Sequence, residues 1–127
     1  MSLVLCHGDK GGTGKSTVCK AFIDWCVRHN KPILAIDADT RNADVHRMFQ
    51  GFSKTACVNL RTEDGWAELV DYMAINVDTC NLVVNLPAGI GDEDEKRSGV
   101  FLEAAQQVGI PVITLWVINR GVDSVNQ

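Results

Sequence analysis

Two lysines, three glycines and three hydroxyl residues share the segment Lys10-Gly11-Gly12-Thr13-Gly14-Lys15-Ser16-Thr17, a composition suited to holding an anion. Glycines let a backbone turn several N–H groups inward, and a helix starting near Lys15 would add its positive dipole end. In a loop of this kind Lys15 reaches the β- and γ-phosphates and the Ser16 hydroxyl is placed to ligate Mg²⁺. The sequence therefore predicts a phosphate-binding loop and a nucleoside triphosphate as ligand, with Gly11, Gly12, Thr13, Gly14, Lys15, Ser16 and Thr17 as the contact residues. The plain alternative is a glycine turn flanked by solvated lysines.

Such a loop must be held between a strand and a helix. The apolar run Leu3-Val4-Leu5-Cys6 precedes it. After it, Val18, Cys19, Phe22, Ile23, Trp25 and Cys26 recur at helical spacing, predicting a helix from about Lys15 to His29 that Asn30-Lys31-Pro32 ends. Ile33-Leu34-Ala35-Ile36 is a continuous apolar run suited to a parallel strand covered on both sides. The polar stretch Asp37–Asn42 follows it, then a helix over Ala43–Phe49. The stretch from Phe52 to Asp64 reads as a loop with one short extended piece. Trp66, Leu69, Val70, Met73 and Val77 fit a further helix, and Leu82-Val83-Val84 a third core strand. Phe101, Leu102, Ala105 and Val108 form the apolar face of a helix that the acidic run Asp92–Glu95 introduces, and Pro111–Val117 makes a fourth strand.

This alternation predicts an α/β fold, a parallel sheet with helices on both faces, stopping after its fourth strand. Ligands of such sheets lie at the carboxyl ends of the strands. Gly8–Thr17, Asp37–Asn42 and Asn85–Gly89 all fall at such ends.

With 127 residues, 46% of them apolar, the chain is expected to form one globular domain over 1–127. No apolar run approaches a membrane span and Met1-Ser2-Leu3 leads straight into a strand, which points to the cytoplasm. The five cysteines include no C-x-x-C pair. They read as small buried hydrophobes in a reducing compartment, not as iron–sulfur ligands. The net charge of −4, with no extended run of Lys or Arg, argues against direct DNA binding by this chain alone.

The strict phosphate-loop pattern asks for glycine where this chain has Asp9. What fits is K-G-G-x-x-K-[ST], beginning at Lys10. In this the chain resembles the deviant Walker A ATPases, the ParA and MinD group of P-loop NTPases. That resemblance implies ATP with Mg²⁺, and a homodimer in which Lys10 touches the nucleotide of the other subunit. It implies that Asp39, in the D-x-D after the second strand, positions the attacking water while Asp37 supports the Mg²⁺ shell. Together with Lys10 and Lys15, Asp39 is then catalytic; Ser16, Asp37 and position 85 are the metal residues. The chemistry suits phosphoryl transfer, where a carboxylate orients the nucleophile and cations neutralise developing charge. A pair of loop-capping aspartates is the other reading of Asp37 and Asp39. The third motif resembles D-x-P-A-G but starts with Asn85, which keeps a carbonyl acceptor and loses the charge that favours a hard cation. Slow hydrolysis, metal binding through Ser16 and Asp39, or a degraded site would each follow.

Asp39–Asp44 and the tail Leu115–Val125 look most like plasmid mobilisation and stability ATPases of the MobD, StbB and TraL type. The implied function is an ATP-binding and hydrolysing dimerisation switch in plasmid partition, stability or mobilisation, with a partner protein of that system. One rival is a nucleotide-sensing module with little turnover; another is a small-molecule kinase or ligase such as dethiobiotin synthetase. Family members are considerably longer. An incomplete sheet would leave an apolar edge that favours self-association.

Overall fold

The computed structural model describes residues 1–8, 15–40, 43–87 and 95–117. Lys10, Gly11, Gly12, Thr13, Gly14, Arg41, Asn42, Ala88, Gly89 and the tail from residue 118 lie outside the described residues, as does the side chain of Ser16. Strand β1 (Leu3–Gly8) leads to helix α1 (Lys15–Arg28), followed by β2 (Ile33–Asp37), α2 (Asp44–Phe49), β3 (Lys54–Cys57), α3 (Glu63–Asn76), β4 (Asn81–Asn85), α4 (Glu95–Val108) and β5 (Val112–Val117). The strands form one five-stranded sheet in the order β3-β2-β4-β1-β5, every neighbour parallel.

The expected α/β architecture is what the chain forms, with one more strand than anticipated. Lys54-Thr55-Ala56-Cys57 has no apolar run to announce it, yet it pairs with Leu34–Asp37. Val112–Val117 is consequently the fifth strand. It lies at an outer edge with Val112 38% and Ile113 48% exposed, because no strand among the described residues covers its outer side.

Residue parity sorts the core into two layers. Val4, Cys6, Ile33, Ala35 and Val83 point towards Cys19, Ile23 and Cys26 of α1 and Val45 and Phe49 of α2. Leu3, Leu5, Leu34, Ile36, Leu82 and Val84 point the other way, onto Trp66, Leu69 and Met73 of α3 and Phe101 and Ala105 of α4. The helix faces are narrower than their composition suggested. Val18 and Trp25 of α1 and Leu102 and Val108 of α4 are exposed. Trp25 instead stacks on His29 one turn away, with ring centroids 4.3 Å apart. Four of the cysteines are buried as expected, but Cys57, on the edge strand β3, is exposed.

Helices α1 and α4 end alike. Lys31 N–H donates to Cys26 O at 2.9 Å and Asn30 N–H to Val27 O at 3.2 Å; Ile110 and Gly109 repeat this pattern on Ala105 and Gln106 at 3.2 and 3.1 Å. Asn30 and Gly109 take the positive φ values, 55° and 76°, that this helix stop requires, and Pro32 and Pro111 follow to prevent continuation. The next strand therefore starts at once after each helix.

Helix α3 starts on the Thr62 cap, whose side chain accepts from Gly65 N–H at 3.0 Å, and Trp66 Nε1–H donates to Leu60 O at 2.8 Å. A Cβ at Gly65 would overlap the Asn59 carbonyl, a backbone group that cannot swing aside. Gly65→Ala is expected to cost about 2–3 kcal/mol by overpacking this entry to α3. Chemical denaturation of both proteins would check it, and a loss below about 0.5 kcal/mol would contradict the close approach. Among the described residues no helix is long and apolar enough to cross a membrane.

Candidate functional site

The crossover from β1 runs towards β2, while that from β4 runs the other way, past β1 to β5. The chain direction thus diverges between β1 and β4, which opens a crevice at their carboxyl ends where ligands of parallel sheets bind. Register decides what lies there. Asn85 pairs with Cys6 on one side and Asp37 on the other, and Asp37 in turn with Cys57, giving one row across the sheet. By parity Cys6, Asp37 and Asn85 share the face covered by α1 and α2, and α1 begins with Lys15.

These residues form one connected cluster. Lys15 Nζ donates to Asn85 Oδ1 at 2.6 Å and lies 3.8 Å from Asp39 Oδ2. Asn85 Nδ2 donates to Asp37 Oδ1 at 3.2 Å. Lys15 is 5% exposed and both Asp37 and Asn85 are 0% exposed, so each polar atom must be matched internally. The Asp39 side chain, 23% exposed, is the member that reaches solvent. The backbone ladder continues past the strand ends, with Ala38 N–H on Asn85 O at 2.9 Å, Leu86 N–H on Cys6 O at 3.1 Å and Val58 N–H on Asp37 O at 3.2 Å.

The D-x-D spacing has a local explanation. Asp39 N–H donates to Asp37 Oδ1 at 3.1 Å, the side-chain turn that an aspartate forms with the residue two positions on. The other oxygen, Asp37 Oδ2, accepts the N–H of His46 at 3.1 Å. Helix α2 has no side-chain cap at Ala43, so Asp37 supplies from the end of β2 the anionic acceptor that its first turn lacks. Sequence reasoning gave no hint of this, since the two residues are joined only by the fold. Lys20 of α1 adds an ion pair to Asp44 at 3.9 Å.

Behind Lys15 lie two buried thiols. The hydrogen bond between Cys6 and Cys19 holds the Cys6 thiol below its ordinary value, burial opposing and Lys15 assisting, and the same bond together with burial drives Cys19 upward. Burial raises Cys26 as well, and partial burial raises the otherwise exposed Cys57, Asp37 adding to the effect there.

The fold thus brings Lys15, Asp37, Asp39 and Asn85 together, and Thr17 stands exposed in the first turn of α1. Among the described residues no three His, Cys, Asp or Glu side chains are grouped to cage a metal. Mg²⁺ does not need such a cage, because it is commonly held by one or two carboxylates with water and substrate phosphates. Both Asp37 oxygens accept protein N–H groups and Asn85 Oδ1 faces Lys15, whereas the Asp39 carboxylate is partly open to solvent. A groove of about 470 Å³ lies elsewhere, between α3 and α4 on the opposite face, lined by Trp66, Val70, Lys96 and Phe101.

Fold and site together define an α/β protein with a parallel sheet and a buried lysine–carboxamide–carboxylate cluster at its topological switch point. The chain is 34% identical over 127 residues to the protein MobD of Acidithiobacillus ferrooxidans, an alignment covering 97% of this chain and 54% of that protein. The similarity runs along nearly the whole of this chain, which spans about half the length of that relative. No family model matches. Among solved structures it is similar to a nucleotide-binding protein from Archaeoglobus fulgidus in complex with ADP, with Co, at 16% identity and a TM-score of 0.47, covering 87% of this chain and 63% of that one.

Proposed function

We propose that the chain binds ATP with Mg²⁺ at the carboxyl ends of β1 and β4, and works as a nucleotide-dependent dimerisation switch in a plasmid mobilisation or partition system. The observation that carries the reading is the Lys15 ammonium, buried at the first turn of α1 and directed at the end of β4. Its position after the segment Lys10–Gly14 suits a phosphate-binding role, and the similarity to MobD supports mobilisation as the setting. In this reading Lys15 and the N–H groups at the start of α1 bind the phosphates, and the Ser16 hydroxyl ligates the metal. Lys10 reaches the nucleotide of the second subunit. Bound Mg²⁺ would supply charge neutralisation on the phosphate oxygens. Asp39, partly open to solvent and 3.8 Å from Lys15, orients the attacking water.

A second reading, a nucleotide sensor with little turnover, is favoured by the neutral side chain at position 85 and by the engagement of both Asp37 oxygens. Hydrolysis decides between them. We expect phosphate release from Mg²⁺-ATP, with Asp39→Ala lowering the rate about 100-fold or more while leaving ATP affinity within a few-fold. ATP binding without any release of phosphate by the wild-type chain would establish the sensor. Absence of binding to the folded chain would sink both.

A further inference from the structure

The departure from D-x-P-A-G at position 85 has a physical reason in the surrounding groups. We infer that Asn85 is a positioning residue whose neutrality is required: it holds Lys15 at the mouth of the crevice and ties it to Asp37. The part concerning nucleotide rests on the proposed function; the part concerning the cluster does not.

The carboxamide is used at both ends. Oδ1 accepts from the Lys15 ammonium at 2.6 Å and Nδ2 donates to Asp37 Oδ1 at 3.2 Å. Turning the amide over would set its N–H groups against an ammonium and its oxygen against a carboxylate, so the orientation is fixed by its neighbours. An aspartate of the same shape would satisfy Lys15 but would place an oxygen where Nδ2 stands. Two carboxylate oxygens would then meet with no donor between them, at a position 0% exposed in both residues.

Charge counting gives the same result. Lys15 from α1 is the cation, and Asp37 and Asp39 are the carboxylates. Asp37 also faces the N–H of His46, and Cys6, Cys19 and Cys57 lie around the cluster. One cation against two carboxylates is the present balance. Aspartate at 85 would make it one against three, a distribution that a bound divalent cation could offset. Asparagine keeps the balance at one cation against two carboxylates.

The test begins with thermal unfolding of the ligand-free chain in four forms: wild type, Asn85→Asp, Asp37→Asn and the double variant. We expect Asn85→Asp to melt at least about 5 °C below wild type, consistent with a loss of about 1–2 kcal/mol. The double variant, which returns the cluster to one amide and two carboxylates, should melt above Asn85→Asp. Asn85→Asp melting at or above wild type, or a double variant no better than Asn85→Asp, would overturn the inference. Failure of Asn85→Asp to fold, with recovery in the double variant, supports it; failure of both counts against it.

The positioning role has a separate readout. In chelator, ATP titrated into folded Asn85→Asp should bind about tenfold or more weakly than to wild type, because the added charge competes for Lys15. Unchanged affinity would leave Asn85 a packing residue and overturn its positioning role. If the wild-type chain binds no ATP, the proposed function fails while the melting series still decides the neutral bridge.

Discussion

Replacing Lys15 by alanine is expected to abolish measurable triphosphate binding, a loss of at least about 100-fold. The magnitude follows from the bonds involved. A hydrogen bond to a charged group contributes about 1.5–3 kcal/mol, and a lysine contacting two phosphates makes at least two of them. Every 1.4 kcal/mol is about tenfold in affinity. Calorimetric titration of Mg²⁺-ATP into both proteins is the check. Because Lys15 is buried and bonded to Asn85, its removal also leaves Asn85 Oδ1 without its donor and reduces stability by about 1–3 kcal/mol. Titration must therefore run well below the melting temperature of the variant. Lys15→Arg should not rescue, since a planar guanidinium cannot enter a site shaped for a point charge on a narrow stem. Binding within a few-fold of wild type in folded Lys15→Ala would remove the basis of the proposed function.

The largest expected stability loss belongs to Asp37→Ala, at about 3–5 kcal/mol. The carboxylate is fully buried and accepts from Asp39 N–H, His46 N–H and Asn85 Nδ2–H. Truncation orphans all three donors at once, and each unsatisfied buried group costs about 1–3 kcal/mol. Local relaxation and entering water recover part of that sum. In a chain of this size the melting temperature should fall by about 10–20 °C. Amide exchange should show the damage first in α2, whose first turn loses the acceptor that Ala43 does not replace. Asp39→Ala, whose side chain is partly exposed, should change stability far less. Equal losses in the two variants would mean that Asp37 does not anchor α2.

Much of the fold could be read from apolar periodicity. The expected starts and ends of α1, α2 and α4 lie within a few residues of the observed ones, because helix stops at Asn30 and Gly109 are local chemistry followed by proline. Strand β3 was legible only as an unplaced short extended piece within 52–64, because Lys54–Cys57 becomes a sheet strand through its partner β2. Nor were the helix faces readable to the residue. Trp25 and Leu102 are apolar and helical, but they sit outside the stripe that meets the sheet.

The candidate site divides along the same line. From the sequence alone come the glycine–lysine segment, the D-x-D pair and Asn85 as the ends of three strands. These depend on short-range spacing, and spacing survives without a fold. That Lys15 meets Asn85 across 70 positions, and Asn85 meets Asp37 across 48, was decided only by tertiary structure. The reason is register. The side-chain period of a strand is two, so a slip of one residue in β2 or β4 would turn Asp37 or Asn85 to the opposite face, away from Lys15. The pairing Cys6↔Asn85 and Asp37↔Asn85 is set by the core, as Val4, Ala35 and Val83 seek α1 while Leu5, Ile36 and Val84 seek α3 and α4. The sequence determines which groups can do the chemistry; packing of the apolar residues beside them determines that they face one another.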